Sequence, residues 1–383
     1  MKIPLAFCFL PWLLIAKIDC LYNQHRQIEE IDLHAYGKIV YIYDEKAFLK
    51  KVERRDENNK LLYETEYFYR EDGSLKLEKL IGNLGIIDYF SDKTLSPYHS
   101  ESFDCKTNTH SIDDITISYQ LPKSDNRSFS SINIEFNEAH QIIKASNNKT
   151  HVEFTYDSNG LRQSKMRSDD DKMTFEFYAS VNREEIAIFD EEGHLIELKV
   201  PGLPLFPGLS KPCAIEIDNK VYAPIIDYHH NIYALVDIET KLSYKTLIDP
   251  FGKNLVPSLL SRFCYRGKIY DPDLDLVFFG YRYYNIHTGL WMSEDPFGPL
   301  QSENLYNYCL NEPWKYLDPD GRFCVVIPII GGLTFSEVVK DIVLGAAISI
   351  SYDYVVPEIS LWLKKLSDEK RMEEFLKIQR GEL

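Results

Sequence analysis

The sequence predicts a mainly β protein, in which antiparallel β-hairpins form a sheet that curls on itself, followed by a short α-helical tail at the C-terminus. Aromatic residues make up 13% of the 383 residues, with 26 Tyr and 21 Phe, and such residues favour strands and cross-strand pairs. The charged share of 27% is ordinary and argues against a disordered chain. A strand-and-turn pattern also recurs along the chain.

This recurring pattern is a strand ending in Tyr-x-Tyr or Phe-x-Tyr, then an Asp and a Gly or Asn turn, then another strand. Instances that end in such turns lie at residues 41–44, 67–73, 154–160 and 189–193. Each predicts a hairpin, because Asp-Gly and Asn-Gly supply the positive φ of a tight turn. Single hairpins cannot bury their apolar faces, so neighbouring hairpins must pair into one long sheet.

Net charge and cysteine spacing exclude several classes of function. A formal charge of −16 and a pI near 5.1 argue against nucleic-acid binding, which needs clustered Lys and Arg. The seven Cys residues have no zinc-ligand spacing, and His229-His230 is interpreted as packed or surface histidine. We therefore predict no metal and no cofactor. Most cysteines are predicted to be buried and inert, although export would allow some to pair.

Both ends of the chain differ from its middle. Residues 1–20 contain an apolar run that is too short for a comfortable membrane span, which predicts a signal peptide or an uncleaved anchor, and therefore export. Residues 324–383 contain a helix-length apolar run and an amphipathic segment, which predict a helical tail packed into a cavity. A proline-rich connector places a boundary near Pro201.

The most informative block is residues 262–323, where aromatic pairs, Asp-Pro turns and Gly recur at hairpin spacing. It contains the related tetrapeptides Asp295-Pro296-Phe297-Gly298 and Asp318-Pro319-Asp320-Gly321. This block resembles the RHS repeat-associated core of bacterial RHS/YD-repeat proteins, the shells of polymorphic toxins. The resemblance extends more loosely upstream, so that residues 28–200 are interpreted as a degenerate YD-repeat region and residues 201–323 as the core.

The resemblance implies a hollow shell of antiparallel strands, and the length of this chain implies a partial one. It implies a secreted or envelope-associated bacterial protein that encloses or presents its own C-terminal segment, a plug or toxin remnant. Envelope or secretion-system proteins would be further partners. An alternative from another class is a Tyr-rich surface adhesin that binds carbohydrate or protein, since aromatic faces stack on sugars.

The resemblance also implies a second alternative, aspartyl-type self-cleavage just after the second Asp-Pro-x-Gly motif. It nominates Asp295 and Asp318 as the catalytic pair and places the scissile bond near Arg322 and Phe323. Two close carboxylates would share a proton, so that one acts as base and the other as acid. The competing interpretation is that both Asp residues only form turns.

Three positions depart from the family pattern. Asn285 replaces an Asp, Leu290 replaces an Arg, and Arg322 replaces a common Leu. The change at Leu290 would remove a cation from the site, and a nearby cation is one means of holding carboxylate charge.

Overall fold

The computed structural model describes residues 18–71, 75–82, 86–90, 101–104, 109–112, 115–118, 133–146, 150–169, 172–206, 208–227, 229–246, 248–253, 260–300, 302–322 and 324–326. The predicted signal segment and nearly all of the predicted helical tail lie outside these residues. Among the described residues, no helix has the length and apolar character needed to cross a membrane.

Strands that follow one another along the chain pair antiparallel, and within the described residues they form five sheets. Sheet 1 contains β1 (Asp19–Tyr22), β2 (Ile28–Asp32), β3 (Lys38–Tyr43), β4 (Leu49–Arg55), β5 (Leu61–Tyr69), β6 (Leu75–Gly82) and β7 (Ile86–Phe90). Sheet 2 contains β8 (Glu101–Asp104), β9 (Thr109–Ile112) and β10 (Ile115–Ser118).

Sheet 3 is the largest and contains β11 (Asn133–Phe136), β12 (Ile142–Ser146), β13 (His151–Tyr156), β14 (Arg162–Ser168), β15 (Met173–Val181), β16 (Glu184–Phe189), β17 (Leu195–Phe206), β18 (Leu209–Ile217), β19 (Lys220–Ile226), β20 (Ile232–Asp237) and β21 (Ser243–Lys245). Sheet 4 contains β22 (Ile269–Asp271), β23 (Leu276–Phe278), β24 (Tyr283–Asn285) and β25 (Leu290–Trp291). Sheet 5 contains β26 (Tyr316–Leu317) and β27 (Val325–Val326). Short 3-10 turns occur at His34–Tyr36, Tyr265–Gly267, Gly298–Leu300 and Cys309–Asn311.

The predicted antiparallel hairpin architecture is confirmed, and aspartate builds its turns. In the hairpins β3–β4, β13–β14 and β16–β17, the Oδ1 atoms of Asp44, Asp157 and Asp190 accept the N–H groups two and four residues further on, at 2.7–3.0 Å. Gly160 and Gly193 adopt the positive φ that two of these turns require. The strands of all four predicted hairpins pair antiparallel, β5 and β6 included, although residues 72–74 of the β5–β6 turn lie outside the described residues.

Sheet 3 is covered on both of its faces. All six residues of β16 are buried. Phe189 belongs to a hydrophobic cluster with Ile39 of sheet 1, whereas the neighbouring Ile188 belongs to a cluster with Phe263 and Ile269. Both of these lie in residues 262–323, which we call the core block. Because successive side chains of a strand point to opposite faces, sheet 1 packs on one face of sheet 3 and the core block packs on the other.

Polar contacts tie these layers together. The Tyr41 hydroxyl of sheet 1 donates to the Pro201 carbonyl at 2.9 Å, and Arg54 Nε lies 2.8 Å from Glu216. Strand β17 contains Pro201, and the domain boundary predicted near this residue therefore falls inside a strand. The boundary stays a prediction.

A buried ion pair fastens β24 to sheet 3. The Arg162 guanidinium binds both oxygens of Glu185, at 2.9 and 2.8 Å, and donates to the Tyr283 hydroxyl at 2.8 Å. Its side chain has no exposed surface. A bidentate pair of this kind fixes orientation as well as distance. It therefore fixes the position of the residue before Tyr283, which is Arg282.

Candidate functional site

The two predicted aspartates each begin a tight turn. Asp295 Oδ1 accepts the Phe297 N–H at 2.9 Å. Asp318 Oδ1 accepts the N–H groups of Gly321 and Arg322, at 2.7 and 3.1 Å. The turn-forming role of both residues is thus present in the structure, and the remaining oxygen of each carboxylate is directed elsewhere.

Those remaining oxygens meet at one cation, Arg282. Its Nη1 lies 3.1 Å from Asp295 Oδ2 and its Nη2 lies 3.4 Å from Asp318 Oδ2. Its Nε donates to the Gly321 carbonyl at 2.6 Å, and its guanidinium carbon lies 4.2 Å from the centre of the Trp291 ring. We call Arg282, Asp295, Asp318 and Gly321 the Arg282 cluster. The structure brings the predicted pair together through this guanidinium.

The two carboxylates have different surroundings. Asp318 has no exposed surface, whereas the Asp295 side chain is 14% exposed. Burial is the main cause that raises the pKa of the Asp318 carboxyl, and the negative charges of Asp320 and Asp295 act in the same direction. Against the lowering effects of Arg282 and the Gly321 N–H, the resulting pKa is about 7. A buried acid with a pKa near neutrality can hold or donate a proton at physiological pH.

The predicted scissile region begins inside this cluster. Arg322 is buried, and its guanidinium binds Asp320 Oδ2 through Nε at 2.7 Å and Nη2 at 2.5 Å. Phe323 lies outside the described residues. The peptide bond between Gly321 and Arg322 has its oxygen on Arg282 and its nitrogen 3.1 Å from Asp318 Oδ1. Among the described residues, Arg282 and Asp318 thus both contact the peptide bond between Gly321 and Arg322.

Two departures from the family pattern have a structural explanation. Asn285 Oδ1 accepts the N–H groups of His287 and Thr288, at 2.9 and 3.1 Å, which is the turn role that an Asp would have there. Leu290 is 37% exposed. The cation that its family counterpart would have contributed is not missing from the site, since Arg282 supplies one.

Sequence reasoning missed Arg282. A signal was available, because Arg282 stands among aromatic residues in the run Phe278-Phe279-Gly280-Tyr281-Arg282-Tyr283-Tyr284. A charged side chain in such a buried run needs a counter-charge, and the Asp residues of the two tetrapeptides were among the acidic candidates in residues 262–323.

The family model of the teneurin YD-shell matches residues 13–313, which is most of the chain. The chain belongs to the teneurin YD-shell family. The matched stretch contains Arg282 and Asp295, and Asp318 follows five residues after its end. The predicted RHS/YD relationship is confirmed.

Individual relatives match this YD-shell chain over shorter stretches. It is 42% identical to the toxin subunit YenC2 of Yersinia entomophaga over 57 residues, which are 15% of this chain and 6% of that protein. It is 35% identical to the toxin protein Tse5 of Pseudomonas aeruginosa over 66 residues, which are 17% of this chain and 5% of that protein. The chain thus spans less than a tenth of the length of the curated relatives it matches.

Among solved structures, the crystal structure of TcdB2-TccC3 is similar to this chain. The matched part covers 79% of this chain and 20% of the other, with 16% sequence identity and a TM-score of 0.40.

Proposed function

We propose that this chain is a YD-shell that encloses or presents its own C-terminal segment in toxin delivery, at or outside the bacterial envelope. The observation that carries the proposal is the position of the chain after Arg322. Cys324 is buried among side chains of the core block, and Val325–Val326 pairs as β27 with Tyr316–Leu317 of β26. The C-terminal segment therefore starts as part of the shell.

The family relationship and the toxin relatives support this role. The segment that follows β27 is more than fifty residues long and contains the apolar run at residues 335–351. A long apolar run is stabilised when a surrounding sheet removes it from water. A reduced shell with an inactive remnant would use the same arrangement.

Limited proteolysis tests enclosure. In the folded chain, we expect trypsin to cut after Lys364, Lys370 and Lys377 at least about tenfold more slowly than in residues 327–383 fused to an unrelated soluble carrier, because cleavage requires local opening. Peptide mass mapping over time measures both rates. Equal rates would show that the segment is not enclosed.

We propose self-cleavage at Gly321-Arg322 as a second activity, supported by the geometry of the Arg282 cluster. Asp295, the more exposed carboxylate, takes a proton from water, whose oxygen attacks the Gly321 carbonyl carbon. Arg282 stabilises the developing charge on the carbonyl oxygen, and protonated Asp318 gives its proton to the Arg322 nitrogen. One water is consumed, the C–N bond breaks, and a Gly321 carboxyl and an Arg322 amine result.

Intact-mass analysis of the purified chain tests this activity. We expect the wild type to give a fragment that ends at Gly321. Its mass is lower by one arginine residue than that of a fragment that ends at Arg322, so the measurement identifies the bond that is cut. In Asp295→Asn and Asp318→Asn, loss of the base or the acid should slow cleavage by about 10²–10⁴-fold.

The matched control is Asp249→Asn, in the tetrapeptide Asp249-Pro250-Phe251-Gly252. Its Oδ1 accepts the N–H of Phe251 at 2.9 Å, as Asp295 does with Phe297, but its motif is not part of the Arg282 cluster. This variant should cleave at the wild-type rate. An uncut wild type would leave both aspartates as turn formers, and an Asp318→Asn variant that cleaves at the wild-type rate would rule out Asp318 as the acid.

A further inference from the structure

Two buried thiols meet beside the Arg282 cluster. Cys309 has no exposed surface and Cys324 is 7% exposed, and both belong to the same hydrophobic cluster as Tyr308 and Trp291. The 3-10 turn Cys309–Asn311 contacts β26, and Cys324 directly precedes β27, which pairs with β26. The Cys309 side chain beside it is the main cause that raises the pKa of the Cys324 thiol. Neither is in a disulfide in this structure.

The backbone holds Cys309 in this place by an unusual turn. Cys309, Leu310 and Asn311 have φ values of +46°, +52° and +63°, three successive non-glycine residues in the left-handed region. The turn is closed by Asn311 N–H to the Tyr308 carbonyl and Glu312 N–H to the Cys309 carbonyl, both at 2.8 Å. Such strained conformations persist where the surroundings over-determine them.

The pairing of sheet 5 holds the other thiol. Leu317 pairs with Val325 and Tyr316 pairs with Val326, so that Cys324 lies one position beyond the ladder, next to Asp318 on the opposite strand. The negative charge of Asp318 raises the pKa of the Cys324 thiol, and the positive charge of Arg282 lowers it. One thiol of the pair therefore lies in the turn Cys309–Asn311, before the proposed cut, and the other lies three residues after Gly321.

We propose that Cys309 and Cys324 form a reversible disulfide site whose co-reactant is a low-molecular-weight disulfide such as oxidised glutathione. One thiolate attacks the glutathione disulfide, which gives a mixed disulfide and one reduced glutathione. The second thiolate then attacks the mixed disulfide, which gives the Cys309–Cys324 bond and a second reduced glutathione. Two protein thiols are oxidised, one disulfide is reduced, and the two thiol protons go to the two glutathione thiolates.

This bond would act as a lock on the C-terminal segment. Cys309 lies before the Gly321-Arg322 bond and Cys324 lies after it, so the disulfide would hold the two fragments together after self-cleavage, a consequence that rests on that proposed activity. Disulfides persist in oxidising compartments and are reduced in the cytosol. The segment would therefore stay attached outside a cell and be released in a reducing environment.

The bond forms most readily while the chain is folding. The Cys309 side chain and burial both raise the pKa of the Cys324 thiol. Because the thiolate is the attacking species and both thiols are buried, the bond forms and is reduced only slowly in the folded chain, and its reduction follows local opening of sheet 5.

The test refolds the full chain with oxidised glutathione, unfolds and alkylates it, and maps its peptides without reductant. We expect a linked pair of peptides that contain Cys309 and Cys324, and an intact mass lower by two hydrogen atoms. Cys324→Ser should lose the linked pair. Cys264→Ser, which removes another buried thiol of the same hydrophobic cluster, should keep it. Full alkylation of both thiols in the wild type, or only glutathione adducts, would overturn the proposal.

A second readout separates the lock from the cleavage. Asp295→Asn, expected to be uncut, should still form the linked pair, so a failure of self-cleavage leaves the disulfide test intact. In the cleaved wild type, a denaturing gel should show at least about tenfold more free C-terminal fragment with dithiothreitol than without it. Equal release in both lanes would show that no bond crosses the cut.

Discussion

Replacing Arg282 by Met is expected to lower the free energy of unfolding by about 3–5 kcal/mol at pH 8. The change removes the cation that two carboxylates share and the N–H that the Gly321 carbonyl accepts. Asp318 would then be a buried charge without its ion-pair partner, which is the costly outcome of breaking a buried pair. Urea unfolding followed by circular dichroism measures the loss.

The size of this loss should depend on pH. At pH 5 the loss should be smaller than at pH 8, because Asp318 can take a proton and leave no buried charge. Arg55→Met is the control, since Arg55 pairs with Glu53 at 2.6 Å but is 27% exposed, and such a pair contributes no more than about 1 kcal/mol. An Arg282→Met variant that loses no more stability at pH 8 than Arg55→Met does would contradict a stabilising role for the cluster.

The stability that depends on Asp318 should fall as the pH rises from about 4 to 8. The pKa of this carboxyl rises from an ordinary 3.8 to about 7 on folding, chiefly through burial. The folded state therefore binds the extra proton in this range, so the contribution is fully present below about pH 4 and is lost as the pH passes through about 7. The shift corresponds to a difference on the order of 4 kcal/mol.

The measurement is the free energy of unfolding of the wild type minus that of Asp318→Asn, taken at each pH so that other titrating groups cancel. Glu176→Gln is the control. Burial raises the pKa of Glu176, but the charges of Arg262 and Lys165 outweigh burial and hold it below its ordinary value. Glu176 is thus ionised in the folded and the unfolded state from pH 5 to 8. The free energy of unfolding of the wild type minus that of Glu176→Gln should therefore not change over this range. A level difference for Asp318 as well would sink the prediction.

Much of the architecture could be predicted from short stretches of sequence. The turns after Tyr43, Tyr156 and Phe189 follow from an Asp and a residue with positive φ a few positions apart, and these interactions need no distant partner. The high Tyr content was open to two interpretations, a sugar-binding face and a core. Many of these rings are buried, Tyr265, Tyr284 and Tyr308 among them, which favours the core.

The division of the hairpins into separate sheets could not be predicted in the same way. An alternating strand shows that it has an apolar face but not which partner covers it. The fully buried β16 contacts sheet 1 through Phe189 and the core block through Ile188. These partners lie far away along the chain, and the choice among them depends on packing that no local pattern records.

The candidate site shows the same division between local and distant information. The two tetrapeptides identified Asp295 and Asp318 as turn residues and as a possible pair, because a turn motif is a property of four adjacent residues. Their meeting at Arg282 depends on sheet 4 and on the Arg162 contact that holds Tyr283, with partners up to 121 residues apart. Local chemistry is set by neighbours in sequence, whereas the proximity of charges and the desolvation that shifts the pKa of Asp318 arise only when distant strands pack together.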